Sequence, residues 1–172
     1  MTETGSTFVP LGEANALLLA PMEALDYFDT RAILLPRSVT PLEAWNLTTE
    51  RPLPLLPLAF RIRDAICAPS GVAPIGGFSG TRSSEVAVGD QLDFFLVEHV
   101  SDTCLCLTAR DRHLDVLTCL SCTGRNLAIT SSVRTHNAFG RLYMLPVGPA
   151  HKLIVSRLLN RVADALEDAP AG

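Results

Sequence analysis

The feature that most constrains the fold is a succession of short strand-like segments in the second half of the chain. Within each segment apolar and polar residues alternate, and glycine, aspartate, serine or asparagine breaks separate the segments at hairpin spacing. Short breaks of this kind favour antiparallel neighbours, so the sequence predicts an antiparallel sheet. The predicted segments are 86–88, 94–100, 103–109, 113–122, 127–133 and 139–145.

One strand and two helices are predicted before this region. The segment 27–34 alternates loosely and is rich in residues that favour strands. Thr40 is followed by Pro41 and Glu43, which together form a helix-start signature of N-cap, first-turn proline and capping glutamate. A second helix is predicted over 58–67, where apolar residues recur every three or four positions.

A long amphipathic helix closes the chain. Its predicted start is His151, just after Gly148 and Pro149, and polar residues occupy the face opposite the apolar one. The segment 69–84, rich in glycine and serine, is longer than a simple connection and is predicted to be a lid or a disordered insertion. The apolar face of the closing helix comprises Leu153, Ile154, Leu158, Val162 and Leu166.

The order of these elements predicts an α+β fold in which a curved antiparallel sheet wraps around the long C-terminal helix. This order resembles the helix-grip, START-like fold, in which the space between sheet and helix forms a cavity for small ligands. With 172 residues, of which 48% are hydrophobic, the chain is long enough to bury a core without disulfides or metals. We predict an N-terminal arm over 1–24, a single domain over 25–168 and a tail over 169–172.

Charge and hydropathy argue against several kinds of partner. The 14 Lys and Arg residues against 18 Asp and Glu give a net charge of -4, and no Lys/Arg-rich run occurs. Nucleic acid is therefore a poor candidate, because its binding depends on basic residues. No apolar stretch approaches the ~20 residues that a membrane-spanning helix needs. Since no lysine or arginine precedes Arg31, the positive start of a secretory signal is missing and a cytoplasmic location is expected.

Five cysteines raise the question of a metal site. Cys104 and Cys106 are separated by one residue, and Cys119 and Cys122 by two. Thiolates are good zinc ligands, but zinc sites of this kind use spacers of two or more residues, and these cysteines lie in strand-like patterns. Free cysteine inside a strand behaves as a small hydrophobe. We therefore expect reduced, buried thiols and no metal.

Polar residues at two-residue spacing mark a candidate ligand site. Residues two apart in a strand share a face, so His113 would project with Asp115, and Arg141 with Tyr143. One interpretation is a binding cluster in which Asp115 orients the His113 imidazole, while Arg141 and Tyr143 bind an anionic or carbonyl oxygen. The alternative is a solvated sheet face, or a buried polar network that fixes the strand register.

Two further histidines complete the candidate set. His136 precedes Gly140 in or beside a predicted turn, and His151 would either point into the cavity mouth or help to end the preceding loop. Neither shows the dense spacing of a metal motif such as H-E-x-x-H, and no G-x-S-x-G nucleophile elbow occurs. No catalytic residue, cofactor or metal is assigned. The candidate ligand-binding residues are His113, Asp115, His136, Arg141, Tyr143 and His151.

Three segments of the chain resemble a known family. Residues 111–115, 136–143 and 149–155, in this order and at this spacing, are similar to a bacterial family of unknown function, the DUF2867 type. The resemblance extends from roughly Asp26 to Leu166 and implies no catalytic residues, because none is established for the family. Some members are fused behind an NAD(P)-binding, dehydrogenase-like domain, but no G-x-G-x-x-G follows a strand here, so no dinucleotide cofactor is predicted.

These features lead to three functional hypotheses. The first is a binder of a small apolar or amphipathic molecule in the cavity between sheet and C-terminal helix, with His113, Arg141 and Tyr143 as polar anchors. The second is a cyclase, dehydratase or hydrolase-like enzyme that uses the same cavity, with His113 and Asp115 as the acid/base pair. The third is an interaction module for a dehydrogenase-like partner or a homodimer, in which the apolar segment 17–19 packs on another chain.

Overall fold

The structure is a computed structural model that describes residues 8–11, 15–50, 53–54, 56–71 and 74–168. The predicted tail over 169–172 and the first part of the predicted arm, 1–7, lie outside the described residues. Strands are numbered in chain order: β1 Val9–Pro10, β2 Leu17–Leu18, β3 Tyr27–Leu34, β4 Gln91–Leu92, β5 Phe95–Val100, β6 Cys104–Arg110, β7 Leu114–Thr123 and β8 Asn126–Thr135.

Six of these strands form one antiparallel sheet in the order β3-β8-β7-β6-β5-β4. From β5 to β8 each strand pairs with its predecessor in the chain, as the hairpin spacing predicted, while β3 joins the far edge beside β8. Strands β1 and β2 form a separate two-stranded ribbon. The predicted antiparallel sheet is therefore confirmed, although residues 86–88 are not a strand and the edge strand is Gln91–Leu92.

Three α-helices accompany the sheet: α1 Pro41–Thr49, α2 Leu56–Cys67 and α3 Ala138–Glu167. Thr40 caps α1 as predicted, because its hydroxyl accepts a hydrogen bond from the Glu43 N–H at 3.1 Å. Short 3-10 turns occupy Met22–Ala24 and Ala68–Ser70. Within the described part of the chain, no helix is long and apolar enough to cross a bilayer.

The sheet is covered on both faces. One face packs against α1 and α3 through a core of aliphatic and aromatic side chains, which makes the predicted α+β, helix-grip-like arrangement correct. The other face carries a smaller cluster that the β1–β2 ribbon covers. Strand β6 is consequently buried on both sides from Cys104 to Thr108. The helix-side core includes Trp45, Leu105, Leu107, Leu120, Leu127, Val155, Leu159 and Val162.

The predicted strand over 139–145 and the predicted helix start at His151 are both wrong. Residues 138 to 167 form one continuous helix of 30 residues. Asn137 is its N-cap, with extended backbone and a side-chain oxygen that accepts the Gly140 N–H at 3.0 Å. The cap fixes the helix start at the end of β8, where the alternation of apolar residues suggested another strand.

Two prolines lie inside α3 and explain the mistaken boundary. Pro146 and Pro149 each remove one helical N–H donor, which usually ends or kinks a helix. Both side chains are exposed, so the carbonyls that lose a donor lie on the solvent side. Between them, Gly148 packs against Tyr27, whose hydroxyl donates to the Gly148 carbonyl at 3.2 Å. This contact holds the helix against β3.

The predicted cavity between sheet and closing helix is occupied by the packed core described above. Two small concave sites instead lie beside α2, and they are described in the next subsection. The apolar segment 17–19 is not an exposed docking surface either, because Leu18 is 1% exposed and Leu17 and Leu19 are half-buried against the sheet.

Candidate functional site

A small cleft lies where α2, the β6–β7 turn and the first turns of α3 meet. Its volume is about 10 Å³, close to the space that one water molecule requires. The cleft can therefore accept a single projecting group of a ligand, while the rest of the ligand would lie over its mouth. Its lining residues are Arg63, Cys67, Asp111, His113, Leu114, Phe139 and Tyr143.

The β6–β7 turn is held rigidly by Asp111. One carboxylate oxygen of Asp111 accepts the backbone N–H groups of His113 at 2.6 Å and Leu114 at 3.0 Å, as in an Asx turn. The Asp111 N–H donates to the Leu114 carbonyl at 3.0 Å. This turn fixes the position at which His113 enters the cleft.

His113 is a buried residue with hydrogen bonds at both ring nitrogens. Arg112 Nε donates to His113 Nε2 at 3.1 Å, and the Asn137 side-chain oxygen lies 3.2 Å from His113 Nδ1. Because a guanidinium only donates, Nε2 is the acceptor of the Arg112 bond, while Nδ1 lies within hydrogen-bond distance of both the amide oxygen and, at 2.9 Å, the amide nitrogen of Asn137. The Phe139 ring stacks on the imidazole with centroids 4.6 Å apart. The imidazole is thus held in one orientation by contacts at both nitrogens and on its face.

Close approach of α3 to the turn depends on Gly140. A Cβ at this position would overlap the His113 carbonyl oxygen, which already accepts the His136 N–H at 2.7 Å. Only glycine permits this approach, which brings Phe139 and Tyr143 to the cleft.

Arg63 and Tyr143 form the polar wall of the cleft. Arg63 Nε donates to the Tyr143 hydroxyl at 3.3 Å, and the guanidinium carbon lies 5.9 Å from the centre of the ring. Burial lowers the pKa of Arg63, but the hydrogen bonds with Tyr143 and Asp64 outweigh it and raise that pKa overall. Burial also raises the pKa of Tyr143. The wall therefore consists of a cation and a neutral phenol.

Asp64 positions Arg63 and ties α2 to the following loop. Its carboxylate accepts Arg63 Nη1 at 2.9 Å and the backbone N–H groups of Ile75 and Gly76 at 3.0 and 3.2 Å. Burial raises the pKa of Asp64, but these donors lower it below its usual value. The predicted lid segment is thus anchored to α2 at this point.

Cys67 lines the cleft but is a poor nucleophile. Burial raises the pKa of its thiol, despite the opposing effect of Arg63. The residue also lies at the C-terminal end of α2, where the helix dipole disfavours a thiolate.

A second concave site of about 70 Å³ lies between α2 and the loop after it. It borders a cluster of aromatic rings in which Phe60 and Phe78 meet edge to face at 5.5 Å. Trp45, Phe94 and Phe95 extend the same cluster toward the core. The lining residues are Leu56, Pro57, Phe60, Gly76, Gly77 and Phe78, so this site is mainly apolar.

Of the predicted site residues, His113 and Tyr143 lie in the cleft. Asp115 instead contacts His136, with its oxygen 3.2 Å from Nε2, and also Arg110 at 3.3 Å. The side chain of His136 is 40% exposed, so this pair lies toward solvent. We expected the Asp115 carboxylate to orient the His113 imidazole, but the side-chain amide of Asn137 contacts the ring instead.

Arg141 and His151 lie away from the cleft. In the helix, Phe139 and Tyr143 are four residues apart and share the face toward the cleft, while Arg141 is rotated away and exposed. The predicted shared strand face of Arg141 and Tyr143 is therefore wrong. His151 lies in the middle of α3 with its ring edge-on to Tyr27, at 6.1 Å between centroids. Burial lowers the pKa of His151.

Arg63 was missed by the sequence analysis, because an arginine on an amphipathic helix usually lies on the solvated face. The signal that could have identified it is the four-residue spacing to Cys67, which places both on one face of α2. A similar signal at Asn137, a preferred N-cap residue, could have identified the start of α3.

Comparison with known proteins gives a family and no closer relative. No curated protein and no solved structure gives a significant match to the chain. The model of the family described as "Protein of unknown function (DUF2867)" matches residues 22–158, which is most of the chain. This match includes the sheet, α1, α2 and the cleft-forming part of α3. The chain therefore belongs to the DUF2867 family.

Proposed function

We propose that the chain binds a small amphipathic organic acid, whose carboxylate enters the cleft between α2, the β6–β7 turn and α3. The observation that carries the proposal is the Tyr143 hydroxyl, which accepts from Arg63 beside a concave surface. A hydroxyl that accepts from a cation keeps its own proton available for donation. Within the described residues, no acceptor takes that proton.

Arg112 supplies a second cation at the mouth of the cleft. Its guanidinium is exposed and makes no ion pair with a carboxylate of the described residues, although its Nε bonds to His113. A Cβ at Gly71 would lie 2.9 Å from Arg112 Nη2, so the guanidinium extends toward the end of α2. An anion held between Tyr143 and Arg112 would receive charge-assisted hydrogen bonds, which are stronger than neutral ones.

The remaining surface suits an apolar ligand body. Leu114 and Phe139 line the cleft beside the polar wall, and Leu142 is 65% exposed one residue before Tyr143. Because the cleft itself holds only one small group, the apolar part would lie across this surface. The proposed site therefore lies beside α2 and not between the sheet and α3.

Titration with matched acids and alcohols tests the proposal. Hexanoate, octanoate and benzoate are added to the ¹⁵N-labelled protein and amide shifts are followed by NMR, with hexanol and benzyl alcohol as uncharged counterparts. We expect the acids to shift amides of 111–114 and 138–143, and the alcohols to bind at least ten times more weakly. Equal binding of acids and alcohols would contradict the carboxylate site.

Tyr143→Phe is the decisive variant, because it removes the hydroxyl and retains the ring. A hydrogen bond to a charged group contributes about 1.5–3 kcal/mol, so affinity for the acids should fall by about 10- to 100-fold. Arg61→Gln is the matched control, since Arg61 is exposed on α2 outside the cleft. Unchanged binding in Tyr143→Phe, with a normal spectrum, would refute the proposed anchor.

The enzyme hypothesis with His113 as acid or base meets an obstacle in the same geometry. Both ring nitrogens are already engaged, Nε2 by Arg112 and Nδ1 by Asn137. Proton transfer to a ligand would require one of these bonds to break first. Binding without turnover is therefore the function that we propose.

A further inference from the structure

Three cysteine thiols meet on the sheet face opposite α3. The Sγ of Cys104 lies 3.7 Å from that of Cys106 and 3.1 Å from that of Cys119, and all three sulfurs lie within 4.8 Å of one another. The three residues are 4%, 0% and 0% exposed, respectively. No sulfur is in a disulfide. The cluster is thus a compact, solvent-shielded group of soft donors.

Strand register creates this cluster. Cys104 and Cys106 are two apart on β6 and share a face, and Cys106 lies directly opposite Cys119 in the β6–β7 pairing. Cys122 is an odd number of residues from Cys119 and therefore points to the other face, where it joins the helix-side core. A site built from C-x-C and C-x-x-C would use all four of these cysteines. In the structure Cys104, Cys106 and Cys119 come together without Cys122.

The β1–β2 ribbon covers the three thiols. Ala16 is buried in the same cluster, with Leu17 and Leu19 packed beside it. The Leu17 N–H donates to the Cys119 sulfur at 3.4 Å. Among the described residues of the ribbon, the side chains that pack on the trio are apolar, and the three cysteines are shielded from solvent.

Hydrogen bonds among the three thiols shift their pKa values in different directions. The hydrogen bonds of the Cys119 sulfur with the thiols of Cys104 and Cys106, and the one that it accepts from the Leu17 N–H, lower the pKa of Cys119 despite burial. The contact with Cys106 lowers the pKa of Cys104, but its bond to Cys119 and burial raise it to about 12 overall. The pKa of Cys106 is raised by its bonds to the other two thiols and by burial.

We propose that Cys104, Cys106 and Cys119 bind a single thiophilic d¹⁰ metal ion, with monovalent copper as the ion that fits best. Three sulfurs at about 2.3 Å from one ion lie about 3.8–4.0 Å apart, which the present spacing reaches with shifts below an ångström. Soft thiolate donors select copper(I), zinc and iron–sulfur groups among metals. A dry site with three sulfurs suits three-coordinate copper(I), whereas zinc requires a fourth ligand.

His99 is the residue that could supply a fourth ligand for zinc. It lies opposite Cys106 in the β5–β6 pairing, so both side chains project on the same face. Binding through three thiolates releases the protons that the thiols carry before the metal binds. No electron transfer is involved, so the site needs no oxidant or reductant.

The test is an anaerobic titration of the full chain, reduced with a phosphine, against copper(I) held by a chromogenic chelator. We expect one equivalent of copper per chain, with thiolate-to-copper charge-transfer absorption in the ultraviolet. In Cys119→Ala, affinity should fall at least about 100-fold, because even the loss of an outer-shell partner of a metal ligand costs 10- to 100-fold. Cys122→Ala is the matched control, because it removes a buried thiol of the same strand outside the trio and should bind copper normally.

The wild-type protein provides a second measurement that does not depend on the variants folding. X-ray absorption of the copper-loaded chain should show three sulfur neighbours and no nitrogen. No copper uptake by the wild type, or uptake that survives Cys119→Ala, would overturn the proposal. Preferential zinc uptake that is lost in both Cys119→Ala and His99→Ala would retain the three-thiol site and overturn the copper assignment.

Discussion

Replacing Gly140 by alanine tests the close contact that builds the cleft. The added Cβ would overlap the His113 carbonyl oxygen, and Thr135 Cβ lies 3.3 Å away on another side. The carbonyl cannot move freely, because it accepts the His136 N–H at 2.7 Å and follows the turn that Asp111 fixes. The overlap must therefore be relieved by moving the start of α3 away from the sheet.

The expected magnitude follows from two opposing terms. Alanine in place of glycine stabilises a helix by at most about 1 kcal/mol. Overpacking in a rigid environment costs about 1–3 kcal/mol, and contact with a bonded backbone atom lies at the upper end of that range. Gly140→Ala should therefore lower the free energy of unfolding by about 2 kcal/mol net, or the melting temperature by about 4–8 °C for a chain of this size.

Urea denaturation, followed by circular dichroism and by Trp45 fluorescence, measures this change. Gly148→Ala is the matched control, because its new Cβ would meet side-chain atoms of Tyr27, at 3.0 Å, and no bonded backbone atom, while the helix gains the same propensity. We expect Gly148→Ala to stay within about 1 kcal/mol of the wild type. A stability of Gly140→Ala equal to that of Gly148→Ala would refute the assignment of Gly140 as a contact glycine.

Two further variants probe α3. Burial lowers the folded pKa of His151 from 6.5, so the unfolded chain binds more protons below that pH, and stability is full above pH 6.5 and falls as the pH drops. His151→Leu should flatten the dependence of the urea midpoint on pH between 5 and 7. Equal slopes in the wild type and in His151→Leu would contradict the burial argument. Asn137→Ala removes the N-cap and should lower the free energy of unfolding by about 1 kcal/mol. Asn160→Ala, on the exposed side of α3, should be nearly neutral. Equal effects of the two substitutions would show that the cap contributes no stability.

The sheet could be predicted from the sequence because its signals are local. Alternation within each strand and turn residues between strands determine hairpin partners, and β5 to β8 pair in that simple order. The first turns of α3 could not be predicted in the same way. Their residues alternate like a strand, two prolines follow, and the helix is stabilised by contacts of Phe139 and Tyr143 with residues far away in the chain.

The sequence predicted part of the candidate site, but from an incorrect assumption about the secondary structure. His113 and Tyr143 were chosen from strand faces, yet Tyr143 reaches the cleft from a helix, and its partner Arg63 comes from α2. The thiol cluster shows the same limit. The short spacing in the sequence suggests that Cys119 and Cys122 act together. In the strand, however, residues three apart point to opposite faces of the sheet, so Cys122 points away and Cys119 lies beside Cys106 on the neighbouring strand.

Both proposed sites depend on the β6–β7 hairpin, at different distances from its turn. The turn at Asp111 forms the floor of the cleft, whereas Cys106 and Cys119 pair further along the two strands. Cys119 lies five positions after Leu114 along β7, which corresponds to about 17 Å. Substitutions this far apart that share no partners have additive effects on the free energy of unfolding. A variant that loses one binding activity and retains the other would therefore have only a local effect. Loss of both from a single substitution would instead show that the hairpin itself has unfolded.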